Sequence, residues 1–522
     1  MDSCQVRHWL IGLAAVSFTV GGCDKKVAEP KDSAPAAKPS ASSASSPAAL
    51  PDSELDDAVK LGLTRDPGVD AKKISVKASG GKVELGGSVS DLSSARRATL
   101  DAERVKGVRE VKDGLTLDLV ARADSDLQKD VNNGLSLNAA THALGVHVAA
   151  KTGTVTLTGK VKSWSDRDVA ERVTEGIRGV RAVKNDLALE PVANRSDADL
   201  QKSVTNRFHW DRLLDDGLLG VTVKDGKVTL SGVVRSAAER RLAARLAWLG
   251  GAKAVDDGAV TVEWGAKEKD VRKNKPANVP DAQIATAIRD AAQADSWLAG
   301  AKLDVSVAAG KATLRGTVDS LEGKSSAETL ARATLGVNDV DDQLTVVPPA
   351  AVANHVLEDH VQSVLRSSPA LTALAIGVAA KGGTVSLTGT VRTSFDRAEA
   401  TELAAGVLGV ERVDDQLKLD RPDVAYVYDG YLAPYEPYIA NLHYAPAKPA
   451  DSDANIDKQI KGELMSSPFV DANAVQVVVA GGKATLNGSV GSLRDKREAT
   501  EDAFEGGAIA VENRLVVKMN GG

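Results

Sequence analysis

At 522 residues, with 43% hydrophobic and 26% charged side chains, the chain is too long for one compact core, and length alone points to about three or four domains. A formal net charge of -6 argues against nonspecific nucleic-acid binding through a basic face. The two cysteines, Cys4 and Cys23, both fall in the first 23 residues, which excludes a disulfide framework or a cysteine-based metal site from the body of the chain.

Residues 1–22 read as a signal peptide. Trp9 to Val20 is an apolar run of about a dozen residues, short of the roughly 20 needed to cross a bilayer. It ends in Val20-Gly21-Gly22-Cys23, which resembles the lipobox of bacterial lipoproteins. The resemblance implies cleavage before Cys23, lipidation of that cysteine and a mature chain held at a membrane by acyl chains. An ordinary cleaved signal and an uncleaved anchor are competing readings of the same run. Residues 23–51 are rich in Ala, Ser, Pro and Lys with no apolar periodicity, so they are expected to form a disordered tether. As a flexible coil, this segment spans on the order of 30 Å.

Beyond the tether, one nine-residue phrase returns six times: GKVELGGSV, GTVTLTGKV, GKVTLSGVV, GKATLRGTV, GTVSLTGTV and GKATLNGSV. Its seventh residue is Gly87, Gly159, Gly232, Gly316, Gly389 and Gly488, at spacings of 72, 73, 84, 73 and 99 residues. A period near 72–73 with two insertions means six copies of one unit. Their expected bounds are 52–120, 124–192, 197–264, 280–349, 352–421 and 451–522.

Each unit opens on a helix. In the third, Leu200, Val204 and Phe208 share one helical face, as do Ile456, Ile460 and Leu464 in the sixth. A short strand such as Val221-Thr222-Val223 follows, then Lys224-Asp225-Gly226, whose Asp-Gly signals a hairpin. The repeated phrase is the returning strand: Val228, Leu230, Gly232 and Val234 lie on one face by the two-residue period. A glycine on that core-facing row marks a bulge or a close backbone approach, and a helix is expected to pack directly over Gly232. A second helix follows, with Leu242, Leu246 and Leu249 on one face in the third unit. It ends at a glycine, which supplies a C-cap. A last short strand such as Gln343-Leu344-Thr345-Val346 closes the unit.

The order helix, strand, strand, helix, strand, with G-x-V-x-L-x-G-x-V followed by the G-V of Gly107-Val108, Gly179-Val180, Gly336-Val337 and Gly409-Val410, resembles the BON domain. The resemblance implies an α+β chain of six tandem small domains, each with two helices packed on one face of a three-stranded sheet. It also implies a cell-envelope setting, since the family occurs in osmotically inducible periplasmic proteins and envelope lipoproteins. Units three and six depart from the pattern with Gly251-Ala252 and Gly507-Ala508, so their second helices are expected to end differently.

Reactive constellations are sparse. His355 and His360 stand five apart on a first helix, whereas a zinc pair wants a spacing of four, so they read as helix-face residues. His147 faces away from the core side of its strand. The aspartate pairs Asp256-Asp257, Asp341-Asp342 and Asp414-Asp415 suit the turn entering the last strand. Cation binding through their carboxylates, with potassium suggested by some family members, is the minor alternative. No catalytic residue, metal site or cofactor is assigned, and the chain is read as a non-enzyme.

Basic residues near the second helices, Arg96 and Arg97, Arg240, Arg241 and Arg245, and Arg494, Lys496 and Arg497, offer two readings. They form a solvated helix face, or they meet phospholipid headgroups, with Arg240, Arg241 and Arg245 as the named contacts. Of the insertions, 265–279 is a polar linker. The second, 422–450, holds all six tyrosines: Tyr426, Tyr428, Tyr431, Tyr435, Tyr438 and Tyr444. They pin an irregular linker onto its neighbours, or they form a partner contact. The expected function is a non-catalytic, lipid-anchored envelope protein on the periplasmic face of a membrane. It binds phospholipid or envelope partners, in envelope integrity or osmotic-stress tolerance. A periplasmic scaffold contacting peptidoglycan or a protein complex through the tyrosine segment is the alternative.

Overall fold

The computed structural model describes residues 51–517, apart from 67, 106, 191–195, 212–213, 215, 235, 264–278, 338, 421–424, 428–442, 446–450, 467–469, 471, 491–495, 497–498, 501 and 505. The signal peptide, Cys23, nearly all of the tether and of the linker 265–279, Tyr428, Tyr431, Tyr435, Tyr438, Arg494 and Arg497 lie outside the described residues.

Unit 3 shows the pattern. Its first helix is Asp197–Trp210, the hairpin strands are Leu219–Lys224 and Lys227–Val234, the second helix is Ala237–Leu249 and the closing strand is Ala254–Val262. The repeated phrase is the central strand, antiparallel to the strand before it and parallel to the closing strand. The same sheet order recurs in all six units, with the closing strand split in two in units 1 and 6. Parallel pairing of the central and closing strands requires a crossover, and the second helix is that crossover.

Each unit has its own core. In unit 3, Val204 and Phe208 of the first helix meet Val228, Leu230 and Val234 of the central strand and Leu242 and Leu246 of the second helix. Burying each large apolar side chain stabilises the unit by about 1.5–3 kcal/mol. The hairpin turn is tight. Asp225 and Gly226 both take positive φ, 54° and 79°, the conformation Asp-Gly favours in a two-residue turn.

The motif glycines are structural for a different reason than a helix overhead. All six adopt left-handed φ, between 101° and 140°. A Cβ on Gly232 would fall on the carbonyl oxygen of Leu218, at the entry of the neighbouring hairpin strand. Lys73, Gly145, Lys302, Ala375 and Ala474 supply the same carbonyl in the other units. The close approach is therefore the backbone leading into the first hairpin strand, and the expectation of a helix packed over Gly232 is corrected.

The aspartate pairs are also placed differently. They lie within the closing strands, and the second member links strand to helix. Asp257 accepts from Arg240 Nε at 2.9 Å, and Asp415 accepts from Arg397 Nε at 2.6 Å and from the Leu417 N–H at 3.0 Å. Asn185 and Asn513 take this place in units 2 and 6, where each accepts from the backbone two residues on. Among the described residues, no group of three or more His, Cys, Asp or Glu could hold a metal ion.

The second helices begin on short polar caps, because the first turn leaves backbone N–H groups without helical partners. Asp91, Ser163, Ser236, Ser320 and Thr393 each accept from the N–H three residues ahead. Their far ends fall into two types, as the G-V departures predict. In units 1, 2, 4 and 5 the valine N–H after the glycine bonds three residues back, as in Val337 to Thr334 O. In units 3 and 6, Ala252 and Ala508 bond five residues back, to Ala247 and Ala503, and in unit 3 the helix runs on to Leu249.

Candidate functional site

The two ways of ending a helix decide how units meet. Units 2 and 5 dock through a reciprocal backbone seam. Leu408 N–H donates to Leu137 O, and Arg178 N–H donates to Ser367 O, both at 2.8 Å. These pairs occupy equivalent positions in the two units, so the contact is close to two-fold. Units 3 and 4 make only one half of it. Leu335 N–H donates to Trp210 O at 2.8 Å, but the position that would return the bond, Gly250, spends its N–H inside its own helix on Leu246 O at 2.9 Å.

Side-chain size widens the difference. Where unit 5 carries His360 and Val364, unit 4 carries Ala287 and Ala291. The half-made seam encloses a cleft of about 540 Å³ between units 3 and 4. Trp210, Leu242, Leu246, Ala287 and Leu330 give it an apolar floor and wall, while Lys202, Arg207 and Arg245 line it with positive charge and Asp199, Asp211 and Asp290 with negative. Its size is that of a small-ligand site.

The arginines named from the sequence are drawn into the protein itself. Arg241 grips Glu103 of unit 1 with Nε and Nη2 at 2.7 and 2.6 Å. Arg240 is paired to Asp257, and Arg245 lines the cleft. Arg96 reaches Glu175 of unit 2 at 2.8 Å. Arg97 holds Asp66 and stands 4.6 Å from the ring centroid of Phe395 in unit 5. Arg240 and Arg241 are each half-buried and engaged in an ion pair. They cross-link elements because the second helices of units 1, 2 and 3 pack on one another. Trp164 of unit 2 stacks on Trp248 of unit 3, and Ser296 of unit 4 donates to Asp166 of unit 2 at 2.6 Å.

Of the tyrosines, Tyr426 and Tyr444 face each other in register in a two-stranded hairpin, Ala425–Val427 with His443–Ala445. His355 is exposed and His360 partly buried on the first helix of unit 5, and His147 is exposed on its strand. The seams escaped sequence reasoning because their partners lie 79 or more residues apart, far beyond any periodicity. One signal was present: the Gly-Gly-Ala endings of units 3 and 6.

Comparison with known proteins agrees with this architecture. A model of the BON domain matches residues 51–118, 123–191, 196–263, 280–348, 354–421 and 452–519. The chain is similar to osmotically-inducible protein Y of Escherichia coli strain K12, 29% identical over 145 residues, which is 26% of this chain and 72% of that protein. Among solved structures, the C-terminal domain of CdsD, the structural protein of the type III secretion system of Chlamydia trachomatis, aligns at 15% identity with a TM-score of 0.12, covering 46% of this chain and all of that one. A second CdsD structure aligns with the same score and identity over 44% of this chain and 99% of its own. At that score the likeness carries no argument. The family match spans most of the chain, and each matched segment holds one copy of the strand motif and the three-stranded sheet: the chain belongs to the BON domain family.

Proposed function

We propose that the chain is a non-catalytic cell-envelope protein, anchored through lipid on Cys23, that acts in envelope integrity or tolerance of osmotic stress by binding membrane phospholipid or envelope partners. The observation that carries the reading is the similarity to osmotically-inducible protein Y over 72% of that protein's length. Two features support a binding role. The cleft between units 3 and 4 has an apolar floor and a charged rim of three cations and three carboxylates. Lys202 at that rim forms no ion pair among the described residues. Because Arg240 and Arg241 are consumed in ion pairs, lipid contact is assigned to the cleft instead. No helix among the described residues is long and apolar enough to cross a membrane.

Vesicle flotation tests it. Protein beginning at Asp24 is mixed with anionic and with neutral vesicles. Flotation with anionic vesicles alone, weakened by Ala287→Trp to fill the cleft, supports the reading. Flotation with neither shifts weight to a scaffold. One observation favours that second reading: the tyrosine segment is built on a hairpin stem beside the second helix of unit 5, with Tyr426 opposite Tyr444. Loss of co-sedimentation with purified peptidoglycan on deleting 428–442, at unchanged stability, supports the scaffold.

A further inference from the structure

Where units 1, 2, 4 and 5 meet, carboxylates outnumber cations among the described residues whose charges face one another. Glu322, near the start of the second helix of unit 4 (Leu321–Ala333), is only 5% exposed. It sits by the seam of units 2 and 5, since a Cβ on Gly406 would lie 3.8 Å from its Cγ and 3.5 Å from Asn138 Nδ2. The charges it faces are Glu402 of unit 5 and Arg172 of unit 2. Arg172 is already bound to Asp168 at 3.0 Å.

One helical turn before Glu402 on the second helix of unit 5 (Ser394–Ala405), Glu399 is partly buried and accepts from Ser368 Oγ at 3.4 Å. It faces Glu402 on its own helix and Asp91 and Arg97 of unit 1. Arg97 in turn is held by Asp66, which lies against Asp101, itself paired with Arg104 at 3.3 Å. The junction therefore sets Glu322, Glu399, Glu402, Asp66, Asp91 and Asp101 against Arg97, Arg104 and Arg172, before Asp168 is counted.

We propose that this junction is a proton-controlled latch: it holds the units together while its surplus carboxyls keep their protons, and it loosens as they ionise. Like charges in a site closed to water cannot all ionise without separating or drawing water in. Burial first, and then the Glu402 charge, pushes Glu399 up to about 7. Burial and Glu402 likewise raise Glu322 well above the ordinary glutamate range, against the pull of Arg172. A carboxyl with a raised pKa binds its proton more tightly in the closed state. Its support for closure is therefore complete below the ordinary glutamate range and is lost as pH climbs toward neutrality. Each titrating carboxyl changes the ratio of closed to open by up to about tenfold per pH unit across that window.

Hydrogen exchange on the full chain reads the latch. Backbone protection is followed in the second helices of units 4 and 5 from pH 5.5 to 8, corrected for the intrinsic rate. Protection is expected to drop by about tenfold or more over this range, and Glu322→Gln with Glu399→Gln should flatten the drop. A purely structural role for these side chains would move protection equally at every pH and leave the slope intact. Wild-type protection independent of pH, or an undiminished slope in the double variant, overturns the proposal. Should the double variant fold poorly, the wild-type slope alone decides.

Discussion

Asp197, the first residue of the unit 3 first helix, accepts hydrogen bonds from the N–H groups of Asp225 and Gly226, at 2.7 and 2.8 Å. One carboxylate thus pins the hairpin turn to the start of the helix. Asp124, Asp281 and Asp453 do the same in units 2, 4 and 6, while Asp52 and Asn354 each take one such bond in units 1 and 5. Asp197→Ala should cost unit 3 about 1 kcal/mol, from lost bonds to a partly solvated turn. Asp197→Asn should recover much of this, since Asn354 already fills the role in unit 5. Urea unfolding of both variants checks the order, and equal losses would count against the staple.

Acid should release the same staple. The N–H groups of Gly153 and then Thr152 hold the Asp124 carboxyl below the ordinary aspartate range. A lowered pKa means that the support is present above the ordinary aspartate value and is lost as pH falls through the lowered one. The amides of Thr152 and Gly153 should therefore shift, and lose protection relative to their intrinsic exchange rates, in acid, with no such change near neutrality. NMR titration of those two amides follows it directly.

The motif glycine has no tolerance for a side chain. At Gly232, φ is 112° and the Leu218 carbonyl oxygen occupies the space of a Cβ. Gly232→Ala should therefore already destabilise by roughly 2–3 kcal/mol, since the strained conformation and the clash both begin at the first carbon. A helix packed overhead would instead have spared alanine and punished valine. Thermal melts of the Ala and Val variants separate the two cases: near-equal losses identify the backbone as the obstacle.

What the sequence made legible was whatever repeats at short range. Val228, Leu230 and Val234 alternate, and the Asp225-Gly226 turn has its own composition, so strand, turn and central position could be read directly. The staple was legible in principle, because an Asp or Asn recurs 28 residues ahead of the turn in every unit, but only the turn drew notice. The joints between units were not legible. Arg241 and Glu103 are each ordinary helix-surface residues, and nothing local tells that 138 residues of chain fold back to join them. Glycine at 232 announced a close approach without saying what approaches.

That long-range pair gives its own test. The Arg241 and Glu103 side chains are 36% and 10% exposed, so solvent screening limits the value of the pair to about 1 kcal/mol. A double-mutant cycle with Arg241→Ala and Glu103→Ala should return a coupling of that size. It should also shrink as salt rises, because charge rather than packing carries it. A coupling indistinguishable from zero at low salt would mean that units 1 and 3 are held by the apolar contact of Ala237 with the unit 1 core alone.

The cleft between units 3 and 4 yields the last prediction. Unit 5 carries Val364 where unit 4 has Ala291, so Ala291→Val adds two methyl-sized groups to an apolar wall of the cleft. If the cleft is merely incomplete packing, filling it should stabilise the protein by about 1–1.5 kcal/mol, near 0.8 kcal/mol per buried carbon. If its walls are instead set for an occupant, the same change should lower binding while stability rises or holds. Stability and vesicle binding measured on one variant therefore answer both questions. A fall in stability would show that the space is too shallow for the added carbons, and that the half-made seam is already packed.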